Sequence, residues 1–366
     1  MFDFKRHTSQ IPANQQSYSV SGPTLKKAFV LQQKGDAQFL ASCYPEAEKF
    51  YKKSLAIYRK SGIGMDIGHT LLRIGRTEEI KGEYENARAA YLESLELFQG
   101  LSDLQAIARC KAHLGSLGWA TGDYAQAIIL LEEARSLYRV AEDVPGEAWV
   151  HDLMGNIRLA MREHDEAERC YWTAYSMVEK LGLNLENVAW NHYHLGAVAL
   201  YREQTEEAKK RFQEAWDCFG RLKDDLGLVA VLTNLGEIAC AEKDFLSAGK
   251  HFREAVQRVI LTGCKPLLAD TLIGVAQLLK ATGEERKAIG ILMVALSHPT
   301  CRQQTKDRMV TLVMALESRF SQAEVEDGFL WAKDFSLEDM ASAWVSSSQK
   351  QEPSRKRTGK KPKPKD

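Results

Sequence analysis

Residues 68–98 read GHTLLRIGRTEEIKGEYENARAAYLESLELF, and their spacing decides the fold. Leu71, Ile74, Gly75 and Glu78 recur at steps that place them on one face of a helix. Gly82 follows, where a chain leaving a helix takes a left-handed conformation that glycine adopts at least cost. Ala87, Tyr91 and Ser94 then step along a second helix at i, i+4 and i+7. The stretch is predicted to be a helical hairpin. A side chain at Gly75 or Ala87 would push its helices apart, and the aromatic that follows is expected to fill the gap between one hairpin and the next.

Outward from this stretch the same marks repeat. A small residue stands at Gly35, Gly75, Gly115, Gly155, Gly196, Gly236 and Ala276, in steps of 40, 40, 40, 41, 40 and 40. Twelve residues after each comes Ala47, Ala87, Ala127, Ala167, Ala208, Ala248 or Ala288. Four further on is Tyr51, Tyr91, Leu131, Tyr171, Phe212, Phe252 or Leu292, and three beyond that a serine or alanine. Gly122 and Gly283 mark the same bend as Gly82. One hairpin cannot bury its own apolar face, but a stack of seven shares a continuous core. The fold class expected is all-α, a right-handed α-solenoid of about seven hairpins with C-terminal capping helices.

This small–large–small spacing resembles the tetratricopeptide repeat, with a period longer than the usual ~34 residues. Long repeats of this kind are similar to those of kinesin light chains and of the C-terminal sensor arrays of bacterial NB-ARC/STAND signalling ATPases. Residues 231–256, VLTNLGEIACAEKDFLSAGKHFREAV, and residues 298–345 carry the finer likeness to those sensor arrays. The extra residues, in stretches such as 141–150 and 221–231, are expected to lengthen the first helix of each hairpin. The resemblance covers about residues 25–345 and implies a protein that holds partners. No GxxxxGK[ST] occurs, so ATPase activity is not expected to carry over.

The expected organisation is a loose segment 1–24, an array over 25–298, capping helices over 299–346 and a basic tail over 347–366. Residues 350–366 hold eight Lys or Arg against two acids, so a net charge of zero hides a tail of about +6. The tail can touch nucleic acid, an anionic membrane or an acidic partner, although it has no aromatic residue for a base to stack on. There is no apolar span for a bilayer and no apolar signal core at the start. The seven cysteines form no CxxC, and a cytoplasmic location is expected.

First helices line the concave face in this architecture, and their polar residues are the candidate contacts. Two positions before the small residue and one after it lie Arg73 and Arg76, His113 and Ser116, Leu153 and Asn156, His194 and Ala197, and Asn234 and Glu237. Further out come His69, Arg109, Trp149, Asp152 and Trp190. Arg73 and Arg76 with Arg109 can receive a carboxylate or phosphate. Asn156 and Asn234 can bond a peptide backbone, and Trp149 and Trp190 can form an apolar wall. A blander assignment stays open, with each arginine paired to Glu78 or Glu79 and both tryptophans packed between repeats.

No catalytic, cofactor or metal site is expected. His192 and His194, two apart on a helix, point about 200° from each other and cannot share an ion. The expected function is a non-catalytic scaffold or adaptor that grips a peptide segment or partner protein in its groove, in regulation or signalling. Two alternatives stand beside it. One is a ligand- or peptide-responsive switch for a separate nucleotide-binding signalling protein, which predicts an enclosed pocket rather than an open trough. The other is nucleic-acid association through the tail.

Overall fold

The computed structural model describes residues 22–182, 185–317 and 335–349. Residues 1–21, residues 318–334 of the expected capping segment and the basic tail from 350 onward lie outside the described residues. Seven hairpins follow one another: α1 Pro23–Leu40 with α2 Tyr44–Ser61, α3 Gly64–Lys81 with α4 Tyr84–Leu101, α5 Leu104–Thr121 with α6 Tyr124–Val140, and α7 Val144–Ala160 with α8 His164–Glu179. The series continues with α9 Leu185–Tyr201 and α10 Thr205–Leu222, α11 Asp225–Ala241 and α12 Phe245–Thr262, and α13 Lys265–Ala281 and α14 Glu285–Ser297. Two further helices, α15 Gln303–Glu317 and α16 Leu337–Gln349, close the described chain. Both helices of a hairpin absorb the long period, since α3 and α4 each run 18 residues. The expectation that only the first helix lengthens is corrected; the turns are too short to hold the surplus.

Those turns are the most regular feature of the backbone. A left-handed residue stands at Ser42, Gly82, Gly122, Arg162, Glu203, Lys243 and Gly283, one inside each hairpin. Backbone N–H groups beyond the bend reach back to close it, as from Glu83 to the Glu78 carbonyl at 2.8 Å and from Gln204 to that of Ala199 at 2.9 Å. Asp103, Asp123, Asp143 and Asp244 cap the helices that follow, each accepting from a backbone N–H three residues on.

The small residue and the aromatic turn out to be partners within one hairpin. A Cβ at Gly35, Gly75 or Gly155 would stand 2.5 Å from the ring of Tyr51, Tyr91 or Tyr171 respectively. The aromatic therefore fills the space its own hairpin's glycine leaves, and not chiefly the gap to the next repeat. Phe252 does both, lying over Gly236 and over Gly274 of the following hairpin. Ser54 and Ser94 are small for a second reason. Their hydroxyls donate to the carbonyls of Ala28 and Gly68 on the facing helix, at 2.8 and 2.9 Å.

The solenoid closes on itself. Pro45, at the start of α2, comes within 4 Å of the position a side chain on Gly263 would take, and Gly82 backs onto Pro266 and Thr300. The Tyr84 hydroxyl donates to the Thr300 carbonyl at 3.0 Å across 216 residues of sequence. One core cluster runs from Phe39, Tyr44, Tyr51 and Leu71 to Cys264, Leu267 and Leu268. Hairpins 1 and 2 thus pack against the junction of hairpins 6 and 7. Within the turn, the segment after α14 crosses the inner face.

Candidate functional site

Four of the candidate residues converge on one cavity of about 110 Å³ inside the turn. They are Asn156 from hairpin 4, His194 from hairpin 5, and Asn234 and Glu237 from hairpin 6. The small-residue register explains the convergence. The positions flanking Gly155, Gly196 and Gly236 face inward on successive α7, α9 and α11, so each hairpin adds its residue to a common wall.

The two asparagines offer complementary groups. Asn156 Oδ1 accepts from the Tyr171 hydroxyl at 2.9 Å, which occupies its carbonyl and leaves the amide N–H groups as donors. Asn234 Nδ2 donates to the Tyr193 hydroxyl at 3.3 Å and to the Ala230 carbonyl at 2.9 Å, leaving its carbonyl as an acceptor. His194 stacks on Tyr171, with ring centroids 4.5 Å apart. Glu237 accepts from Arg308 Nη2 on α15 at 2.5 Å.

The remaining candidates sit elsewhere. Arg73 Nε donates to Asp36 at 2.9 Å, so its acidic partner comes from the preceding hairpin rather than from Glu78 or Glu79. Arg76 lies over the Phe39 ring at 4.9 Å, and its Nε and Nη2 are buried without a hydrogen-bond partner. Arg109 Nε is likewise buried and unpartnered. His113 stacks on Tyr91 at 4.8 Å and meets the edge of Trp149 at 4.8 Å. Burial, aided by Arg76 and Arg109, pushes its imidazole well below the ordinary range and keeps it neutral. Trp149, Asp152 and Trp190 are buried, and Trp190 packs edge-on to Phe219 at 4.8 Å. Both tryptophans belong to the packing of hairpins and do not line the cavity.

Sequence reasoning missed the residues that complete the site. Asp270 occupies the same place before Ala276 that Arg109 occupies before Gly115, so the register already pointed to it. Arg302, Gln304, Thr305 and Arg308 also line the cavity, and no repeat pattern reaches them. Asp270 pairs with Arg302 and accepts from the Thr305 hydroxyl. The Arg302 guanidinium stands 5.2 Å from the centroid of the Trp119 ring. Buried Glu79 was noted only as a pairing partner. It accepts from the Tyr91 hydroxyl and the Ser116 hydroxyl at 2.6 Å each.

Among the described residues, Glu48, Glu78 and Glu83 bring carboxylates close enough to share an ion. Lys52 and Lys81 already lie among them, with Lys81 Nζ 2.6 Å from Glu48 and 2.7 Å from Glu83. His192 pairs with Glu214 at 2.9 Å while His194 points into the stack, so the two rings diverge as expected. No helix among the described residues is long and apolar enough to cross a membrane.

Residues 66–139 and 146–219 match the family of tetratricopeptide repeats. No curated protein matches the sequence. Among solved structures, a Rap protein complexed with Competence and Sporulation Factor is similar at 12% identity and TM-score 0.60, over 82% of this chain and 76% of that one. The Rap conjugation gene regulator of plasmid pLS20, in complex with the Phr* peptide, is 12% identical with TM-score 0.60, over 87% and 83%. The apo form of RapI is 10% identical with TM-score 0.51, over 80% and 99%. At such identities the likeness is one of fold. The family match spans hairpins 2 to 5, and the same glycine–aromatic packing in hairpin 1 and hairpin 6 makes the fold as a whole a tetratricopeptide-like solenoid.

Proposed function

We propose that this chain is a non-catalytic interaction protein that receives a peptide segment on its inner face and is switched by it. The observation that carries the reading is the convergence of Asn156, His194, Asn234 and Glu237, from three successive hairpins, on one partly open cavity. Asn156 supplies a donor and Asn234 an acceptor, which is what an extended backbone needs from a wall that it crosses. Small rotations between hairpins add along a solenoid, so a ligand bridging hairpins 4 to 6 would alter the pitch felt at both ends. Two of the structurally similar Rap proteins are complexes, one of them with a peptide, and this supports a peptide as the kind of ligand.

The arginine cluster offers a second anchor on the same face. Arg76 and Arg109 are already removed from water and keep unpartnered N–H groups, so a carboxylate would find donors whose desolvation is complete. Under this reading Arg73, held by Asp36, positions the cluster, and a separate signalling protein reads the outcome.

A displayed random-peptide library panned against the full chain tests the proposal. Enriched peptides are expected to bind wild type and to lose about tenfold or more on the Asn156→Ala/Asn234→Ala variant. A library that enriches nothing, or peptides indifferent to that variant, would remove the inner face as the binding site.

A further inference from the structure

We infer that residues 300–308 are an intrachain occupant of the groove, standing in for a separate basic segment that presents two arginines and displaces them. The inference deepens the peptide reading and rests on it. The strap crosses the inner face through polar contacts to five helices. Thr300 is held by Tyr84 of α4, and Arg302 lies against Trp119 of α5 and Asp270 of α13. Gln304 donates to the Tyr201 hydroxyl of α9 at 3.3 Å, and Arg308 donates to Glu237 of α11.

The wall under the strap is built for guanidinium groups. Asp270 and Glu237 face inward, with side chains 16% and 19% exposed, and two carboxylates so placed are unfavourable unless cations answer them. Trp119 supplies an aromatic face for one of those cations. The fit of the resident strap is incomplete. A cavity remains between it and the wall, Arg302 Nε is buried without a partner, and the Arg308 side chain stays 35% exposed. A free segment with better-placed arginines therefore has both an entry and a gain.

Displacement need not unfold the end of the array. Cys301 on one side and Met309, Val313 and Leu316 on the other are buried in the core cluster and anchor both ends, so the movable part is residues 302–308, the first turns of α15 included. The strap is consequently a tethered competitor. A closed strap lowers the apparent affinity of any ligand by the fraction of molecules in which it is open.

The probe is a synthetic peptide of residues 299–311 carrying Cys301→Ser, titrated calorimetrically into three full-length proteins. Arg302→Ala/Arg308→Ala, with its strap disarmed, is expected to bind the peptide about tenfold or more tighter than wild type. Adding Glu237→Gln/Asp270→Asn to the disarmed strap is expected to weaken the peptide about tenfold or more relative to the disarmed strap alone. If Arg302→Ala fails to fold, Arg308→Ala alone tests the same difference at a partly exposed position. In wild type, saturating peptide should speed hydrogen exchange of residues 302–308 and leave Met309–Leu316 protected. Equal affinity of wild type and the disarmed strap, or unchanged exchange at 302–308, overturns the inference. Library peptides that still depend on Asn156 and Asn234 would in that case preserve the groove and dismiss only the strap.

Discussion

Glu79 concentrates the physics of the inner layer in one side chain. It is 5% exposed, sits beneath Tyr91 and Ser116, and has His113 Nδ1 at 3.6 Å. Burial pushes its carboxyl up to about 7, against the two hydrogen bonds and the Arg76 charge, which pull it down. A carboxyl with a raised folded pKa binds more protons folded than unfolded. The stability it contributes is therefore full below about 4.5 and is lost as pH rises through about 7. Relative to Glu79→Gln, wild type should lose about 2–3 kcal/mol between pH 4 and pH 8, read from urea denaturation at both. Parallel pH profiles for the two proteins would show that Glu79 ionises as freely folded as unfolded. The helical register marks Glu78 and not Glu79; both are buried, and only packing gives Glu79 the Tyr91 and Ser116 hydroxyls while Glu78 meets Lys52.

The hairpin is the element on which stability turns, and glycine has opposite meanings at two places in it. In α7 a Cβ on Gly155 would stand 2.5 Å from the Tyr171 ring. That ring cannot swing aside, because its hydroxyl bonds Asn156 and its face is stacked on His194. Alanine is the better helix former by about 0.5–1 kcal/mol, whereas overpacking a tight contact costs about 1–3 kcal/mol. The clash wins, and Gly155→Ala should lower stability by about 1–2 kcal/mol. Gly220 in α10 has nothing within 4 Å, so Gly220→Ala should raise stability by about 0.5–1 kcal/mol. Urea midpoints of the two variants should move in opposite directions; a shift the same way would sink the packing account. The hairpins were legible because their marks are local. Gly82, Gly122 and Gly283 announced their bends, whereas Arg162, Glu203 and Lys243 adopt the same left-handed turn with no compositional sign. At those three, the hydrogen bonds that close the turn impose a conformation the residue itself does not favour.

At the scale of the molecule, the array behaves as a closed turn rather than an open row. Tyr44 is fully buried where α2 meets the junction of hairpins 6 and 7, and burial pushes its hydroxyl well above the ordinary phenol range. Tyr44→Ala should cost about 3–5 kcal/mol, the range for removing a large buried aromatic. It should also speed hydrogen exchange in α13, more than 200 residues away in sequence, as the Tyr84–Thr300 contact already spans 216. In an open solenoid each hairpin contacts only its neighbours, and the damage would stop at hairpins 1 and 2. Exchange in α13 identical to wild type would show that the closure does not couple the ends.

The sequence by itself determined the number of hairpins and their period, because each follows from contacts within one hairpin or between neighbours. Asn156, His194, Asn234 and Glu237 were all readable as inward-facing from their place beside the small residue. Tertiary structure alone decided that these four share one cavity, that Arg73 looks to Asp36, and that Trp149 and Trp190 are packing. It alone decided that residues 300–308 cross the groove. The physical reason is accumulation: the small rotation between one hairpin and the next is set by many side chains at once. Its sum over five hairpins brings Gly82 to Thr300, a meeting that no local pattern encodes.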